Sequence, residues 1–159
     1  MDGYVLTVER LIGAPPEAIF AVLSNTGMHA QIDGSGMLQG TPEGAADDLE
    51  LGSTFGMKMK MGVRYKTESR VVEFEKNRLI AWQTGPSGKL GRFVAGRIWR
   101  YQLEVTGDGT LVRESWDITA DHQRVLLKLG GIWSGRTRRD MERTLARLDS
   151  VVSVSAERD

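Results

Sequence analysis

Residues 97–119 hold the pattern that most constrains this chain. Two alternating runs, RIWRYQLEVT and TLVRESWDIT, are joined by Gly107-Asp108-Gly109. An Asp-Gly pair between such runs is a strong hairpin signal, because a two-residue type I′ loop needs positive φ at both central positions. With Asp108-Gly109 as the loop, Val105 lies opposite Val112, Leu103 opposite Glu114, Tyr101 opposite Trp116 and Trp99 opposite Ile118. The other face pairs Glu104 with Arg113, Gln102 with Ser115 and Arg100 with Asp117. One face is then apolar and aromatic and the other carries opposite charges, whereas a one-residue slip would mix them. Glu114 is left as a carboxylate on the apolar face. Arg97 shares that face but lies roughly 20 Å along the ladder, too far to pair with it.

A second hairpin follows the same logic. Phe55, Met57, Met59 and Met61 alternate with Lys58 and Lys60. A three-residue loop at Gly62-Val63-Arg64 sets Met61 opposite Tyr65, Met59 opposite Thr67, Met57 opposite Ser69 and Phe55 opposite Val71, with Lys58 facing Glu68 outside. A short turn at Lys76-Asn77 brings Val71 opposite Trp82 and Ser69 opposite Thr84, and leaves Val72 and Phe74 outside. The inner face so derived is apolar but dotted with Tyr65, Thr67, Ser69, Thr84 and Glu114. Buried hydroxyls and carboxylates cost free energy unless they find partners. A cavity holding water or a ligand meets that need, and flexible, polarisable methionines suit its wall.

The remaining elements complete an α+β domain over residues 1–152. Tyr4 to Leu11 alternates as a strand. Pro15-Pro16-Glu17 opens a helix with Ile19, Phe20 and Leu23 on its apolar stripe, and 25–32 reads as a second short helix. Residues 33–51, rich in glycine and acids, read as a long loop of the kind that tends to carry function. Strands are expected near 53–61, 64–75, 78–85, 95–106 and 110–119, with 86–93 a flexible connection. Residues 123–129 and 134–152 read as helices interrupted at Gly130-Gly131, which either end a helix or hinge a gate. Met141, Leu145, Leu148 and Val152 share one face of the last helix. Residues 153–159 read as a frayed tail. The expected architecture is a curved antiparallel sheet of about six strands wrapped around that helix.

Composition narrows the function. Lysine plus arginine equals aspartate plus glutamate at 21 each, which argues against a nucleic-acid partner. No cysteine is present, so disulfides and thiolate chemistry are excluded. His29 and His122 are the only histidines and share no ligand spacing, so no metal site is expected. No cofactor is expected either: Gly34-Ser35-Gly36 lacks dinucleotide spacing, and Gly85-Pro86-Ser87-Gly88-Lys89 lacks the phosphate-loop spacing and hydroxyl residue. No leader or spanning run is visible, so the expectation is a cytoplasmic protein without integral membrane association. Arg136, Arg138, Arg139, Arg143 and Arg147 interleave with Asp140, Glu142 and Asp149. That reads as a solvated face, with transient membrane contact as the alternative. Oligomeric state is left open.

Several stretches together resemble the helix-grip fold of START-like domains, and most closely the bacterial polyketide cyclase/dehydrase branch of the SRPBCC superfamily. They are Ala14 to Phe20, Val72-Glu73-Phe74-Glu75 leading to Leu79-Ile80-Ala81-Trp82, Trp99-Arg100-Tyr101 with Glu114-Ser115-Trp116-Asp117, and Met141 to Leu145; His29 to Gly36 is a further likeness. The resemblance spans about residues 4–152. It implies a binding or carrier protein for a lipid-like, aromatic or polyketide-like molecule. The same superfamily holds cyclase/dehydratase-type enzymes and partner-binding relatives of heat-shock-ATPase activators, so whether this chain is an enzyme stays open.

The candidate acid/base groups are Glu114, His29 and Asp33. Glu114 is either a cavity carboxylate with a raised pKa or is satisfied by Arg139, Arg143 or water. His29 and Asp33 are spaced to meet on a helix face, for proton transfer or to close the pocket mouth, unless His29 is simply structural. The expected ligand wall is Met57, Met59, Tyr65, Thr67, Ser69, Trp82, Thr84, Arg97, Trp99, Tyr101, Glu114 and Trp116. Burying ~200 Å² of apolar ligand surface yields about 5 kcal/mol, against roughly 4–15 kcal/mol of lost freedom. Selectivity therefore falls to the polar positions in that wall.

Overall fold

The computed structural model describes residues 3–44, 48–88, 96–129 and 131–158, leaving aside the side chains of 41 and 131–134. Its strands are β1 (Val5–Ile12), β2 (Leu38–Glu43), β3 (Thr54–Met61), β4 (Val63–Glu75), β5 (Leu79–Pro86), β6 (Arg97–Thr106) and β7 (Gly109–Asp117). Its helices are α1 (Pro16–Leu23), α2 (His29–Ile32), α3 (Arg124–Leu129) and α4 (Gly131–Ala156), with a 3₁₀ turn at Thr26–Met28. The strands form one antiparallel sheet in the order β1-β7-β6-β5-β4-β3-β2. It is curved and unclosed, and it grips the long C-terminal helix in the helix-grip manner.

The expected face of α4 is the buried one: Met141, Leu145, Leu148 and Val152 all lie in the core. They pack with Leu6 and Val8 of β1, Ile19, Phe20 and Leu23 of α1, and Ile80 of β5. The helix continues to Ala156, past the expected end at Val152. Gly34 lets the chain leave α2 directly against α4. A Cβ there would sit 2.1 Å from the Asp140 carbonyl oxygen, and the Gly34 N–H donates to Thr144 Oγ1 at 2.9 Å.

Four expectations are corrected. First, the segment 33–51 is not structureless, since β2 lies within it and raises the strand number to seven. The Asp33 carboxylate turns the chain by accepting from the Ser35 N–H and hydroxyl and from the Leu38 N–H. β2 then pairs with β3 as Leu38 to Met59 and Gln39 to Lys58, and the ladder breaks before Glu43 pairs with Gly56. Gly40, at φ +66°, lies within that break.

Second, the β6–β7 register differs by two residues. Tyr101 lies opposite Glu114, Trp99 opposite Trp116 and Leu103 opposite Val112. The loop is Gly107-Asp108, neither with positive φ; that conformation falls on Gly109, at φ +140°. The cause is β1: a Cβ on Gly109 would lie 2.2 Å from the Ile12 carbonyl oxygen. A two-residue shift preserves which side chains share a face. The outer charges now meet diagonally, Arg113 with Glu104 at 2.8 Å and Arg100 with Asp117 at 3.6 Å.

Third, β3 turns into β4 around Gly62 alone, at φ +73°. This pairs Met61 with Val63, Met59 with Tyr65, Met57 with Thr67 and Phe55 with Ser69. Lys58 faces Lys66 rather than Glu68, and Glu43 of β2 answers Lys66 at 2.8 Å. Fourth, Phe74 does not point outward. Val71–Trp82 and Ser69–Thr84 pair as expected, but a bulge between Val71 and Glu73 reverses the alternation. Phe74 thereby meets Phe20 edge-on, ring centres 5.6 Å apart. The expected connection 86–93 lies outside the described residues from Lys89 onward, as does Gly130 of the expected interruption.

Candidate functional site

The concave face of the sheet, α2 and α4 enclose a cavity of about 470 Å³. That volume suits a small-molecule site. The side chains at one end are buried: His29, Ile32, Phe55, Trp82, Tyr101, Glu114 and Met141. Met61, Tyr65, Pro86, Gln123 and Arg136 line the other end and are exposed. The cavity thus has a blind end under the sheet and a mouth between the β3–β4 turn and the start of the C-terminal helices.

Each wall follows from local sequence. The alternation of β3 turns Phe55, Met57 and Met59 inward and Lys58 outward. On β5 and β6 the same period presents Trp82 and Tyr101, whose rings lie 5.5 Å apart. His29 stacks on Trp82 at 5.0 Å, and Trp99 stacks on Trp116 at 5.9 Å. The blind end is therefore a box of aromatic faces, suited to flat ligands.

Glu114 is the odd group in that box. It is 2% exposed, and neither Arg139 nor Arg143 reaches it; Arg143 pairs with Asp140 instead. Its partner is Tyr101, whose hydroxyl donates to Oε1 at 2.9 Å. That bond exists because the register sets these residues directly opposite. Among the described residues Oε2 has no partner, and neither does the buried indole N–H of Trp116, two residues along the same face. Burial pushes the Glu114 carboxyl up to about 8; the Tyr101 hydrogen bond opposes this and the nearby Asp33 charge adds to it. Burial and the Glu114 charge push the Tyr101 phenol well above its ordinary value.

His29 and Asp33 both line the cavity but their side chains do not pair. The His29 ring donates from Nε2 to the Leu23 carbonyl at 2.8 Å, leaving Nδ1 as the bare nitrogen. Burial pushes its pKa down. The Asp33 carboxylate is spent on Ser35 and Leu38. Ser69 and Thr84 satisfy each other at 2.8 Å. Arg97 donates to the buried Asp121 at 2.7 Å, and burial raises the pKa of the Tyr65 phenol at the mouth.

The twelve residues expected in the ligand wall all line the cavity. The reading missed the contribution of α4 and of the segment leading into β2. Thr137, Met141 and Thr144 line it too, and their helical spacing of four and three was an available signal. Ile32 of α2 lines it too, as do Met37 and Leu38, which no local pattern marks because the β2–β3 pairing brings them there. Among the described residues no three His, Asp or Glu side chains gather to hold a metal ion. Among them, too, no helix is long and apolar enough to cross a membrane.

The family model for polyketide cyclase/dehydrase and lipid transport proteins matches residues 5–153. The uncharacterized protein Rv0088 of Mycobacterium tuberculosis is 32% identical over 111 residues, covering 69% of this chain and 45% of the relative. The chain thus spans less than half the length of the curated relatives it matches. Among solved structures, one from Arthrobacter aurescens superposes with a TM-score of 0.71 at 13% identity, covering 96% of this chain and 87% of that one. An AHSA1-like protein from Aeromonas hydrophila gives 0.59 at 15% identity, covering 96% and 94%. At these identities the likeness is one of fold.

Proposed function

Because the chain belongs to the polyketide cyclase/dehydrase and lipid transport family, we propose that it is a binding or carrier protein for a hydrophobic small molecule held in this cavity. One observation carries the reading. The wall is apolar and aromatic, yet it holds two buried polar atoms without partners among the described residues, Glu114 Oε2 and Trp116 Nε1. Each such group costs about 1–3 kcal/mol in a sealed core, so a core built only for stability would not keep both. A cavity whose ligand satisfies them would.

The test is uptake of the fluorescent probe N-phenyl-1-naphthylamine, with native mass spectrometry of the freshly purified protein. Saturable one-to-one binding that Met57→Trp blocks is expected, since the larger ring fills the wall. Absence of saturable uptake, or uptake indifferent to Met57→Trp, removes the reading.

A second reading, a cyclase- or dehydratase-type enzyme, draws on Glu114 alone. An acid that ionises at about 8 holds its proton at neutral pH, as a general acid must. In that case Glu114→Gln abolishes turnover while leaving probe uptake intact. In the carrier reading the substitution alters affinity only.

A further inference from the structure

The buried polar groups of the cavity wall are almost all engaged with one another. Ser69 holds Thr84, His29 holds the Leu23 carbonyl, and Thr144 receives the Gly34 N–H and donates to the Asp140 carbonyl. The cations that line the cavity stand toward its mouth beside carboxylates, Arg97 at 2.7 Å from Asp121 and Arg136 at 3.8 Å from Asp140. Among the described residues, what remains is the bare Nδ1 of His29 and the closed-off pair on β7, Glu114 Oε2 and Trp116 Nε1.

The hydrogen-bonding sense of that pair follows from Tyr101. A buried carboxyl with no cation beside it favours its neutral form. Oε1 already accepts from the Tyr101 hydroxyl, so the carboxyl proton sits on Oε2. Trp116 Nε1 is a donor by its chemistry. The pair thus places two donors just behind the wall of the blind end, where the bare acceptor is His29 Nδ1.

Resting on the cavity reading above, we propose that the ligand is a neutral, flat molecule whose carbonyl-type oxygen seats against the Glu114 carboxyl and the Trp116 indole N–H. A carbonyl oxygen has two lone pairs and no proton of its own to satisfy, so it answers both donors. A hydroxyl would bring a third donor, which would have to reach a further acceptor such as the bare His29 Nδ1. Among the described residues an anion finds no free cation at this end, and a cationic amine would first have to strip the proton from Glu114. Both donor atoms are closed off from solvent, so the oxygen enters as the wall adjusts. Unbranched Met57 and Met59 give that wall its play.

The experiment compares three probes with one naphthalene body: 2-acetylnaphthalene, 2-ethylnaphthalene and 1-(2-naphthyl)ethylamine, titrated by tryptophan fluorescence at pH 7. The ketone is expected to bind about tenfold or more tighter than the hydrocarbon, as two hydrogen bonds to otherwise unpaired donors imply. Trp116→Phe and Glu114→Leu should each shrink that ratio without weakening hydrocarbon binding. Glu114→Gln should keep it, because the amide still accepts from Tyr101 and still donates inward. Equal affinity for ketone and hydrocarbon overturns the proposal while leaving the cavity reading intact. Preference for the amine, lost in Glu114→Gln, overturns it in favour of an ionised Glu114. If none of the three binds, the cavity reading falls and the proposal with it.

Discussion

Replacing Glu114 by glutamine isolates the energetic effect of one buried carboxyl. The side chain keeps its shape, and its amide oxygen still accepts from Tyr101. In the unfolded chain the carboxyl ionises near 4.5, and in the folded protein burial raises that to about 8. Between these values the unfolded chain sheds a proton that the folded protein retains. Folding stability from this group is thus fully present below about pH 4.5 and falls as pH rises, by about 1.4 kcal/mol per pH unit. The loss levels off above about pH 8, having reached about 5 kcal/mol in total. Glutamine does not titrate, so the stability of Glu114→Gln relative to the parent should rise by about 2.5 kcal/mol between pH 5 and pH 7. Tyr101, Asp33, His29 and Asp140 around the cavity, and Arg97 and Arg136 toward its mouth, are present in both proteins, so the difference isolates Glu114. Urea unfolding of both proteins, followed by tryptophan fluorescence from pH 5 to pH 9, measures it. A difference that stays constant with pH would show that the carboxyl is already ionised in the folded protein, and would refute the reasoning.

Three further outcomes are expected. Tyr101→Phe removes the donor that holds Glu114 Oε1; it should cost about 1–3 kcal/mol and move the pH range of the stability loss upward, read by the same urea series. Gly109→Ala drives a Cβ to 2.2 Å from the Ile12 carbonyl at a φ that disfavours alanine, so thermal unfolding should show a loss of about 2 kcal/mol or more, whereas Gly107→Ala, with open space around it, should be mild. Arg97→Ala leaves the buried Asp121 carboxylate without its cation and should cost about 1–3 kcal/mol, with high salt unable to restore the loss in a denaturant titration.

The faces of the sheet were legible in the sequence and the registers were not, for one reason. Side-chain alternation has a period of two and is read from each strand alone. Any even shift preserves it, so no alternation pattern separates Tyr101 opposite Trp116 from Tyr101 opposite Glu114. Asp108-Gly109 matched a local turn preference, but the decision lay with β1, whose Ile12 carbonyl leaves room only for a glycine at 109. The Gly62 turn at the β3–β4 hairpin shifted its ladder by the same even step. The bulge after Val71, which turns Phe74 toward Phe20, likewise answers a helix distant in sequence.

The candidate site divides the same way. Met57, Met59, Trp82, Trp99, Tyr101, Glu114 and Trp116 follow from alternation alone, as does the anomaly of a carboxylate among aromatic rings. The polar partner of that carboxylate does not: the expected arginines lie elsewhere, and Tyr101 reaches it only because the two strands slid by two residues. Nor does β2, whose Gly40, Pro42 and Glu43 have little strand propensity of their own and which pairs because the edge of β3 offers unpaired backbone groups. Sequence by itself determined which side chains face inward wherever a strand runs without a bulge, since that depends on neighbours along one strand, and it failed at Phe74. Tertiary structure decided which of them touch, because contacts across strands are set by the space that distant segments leave.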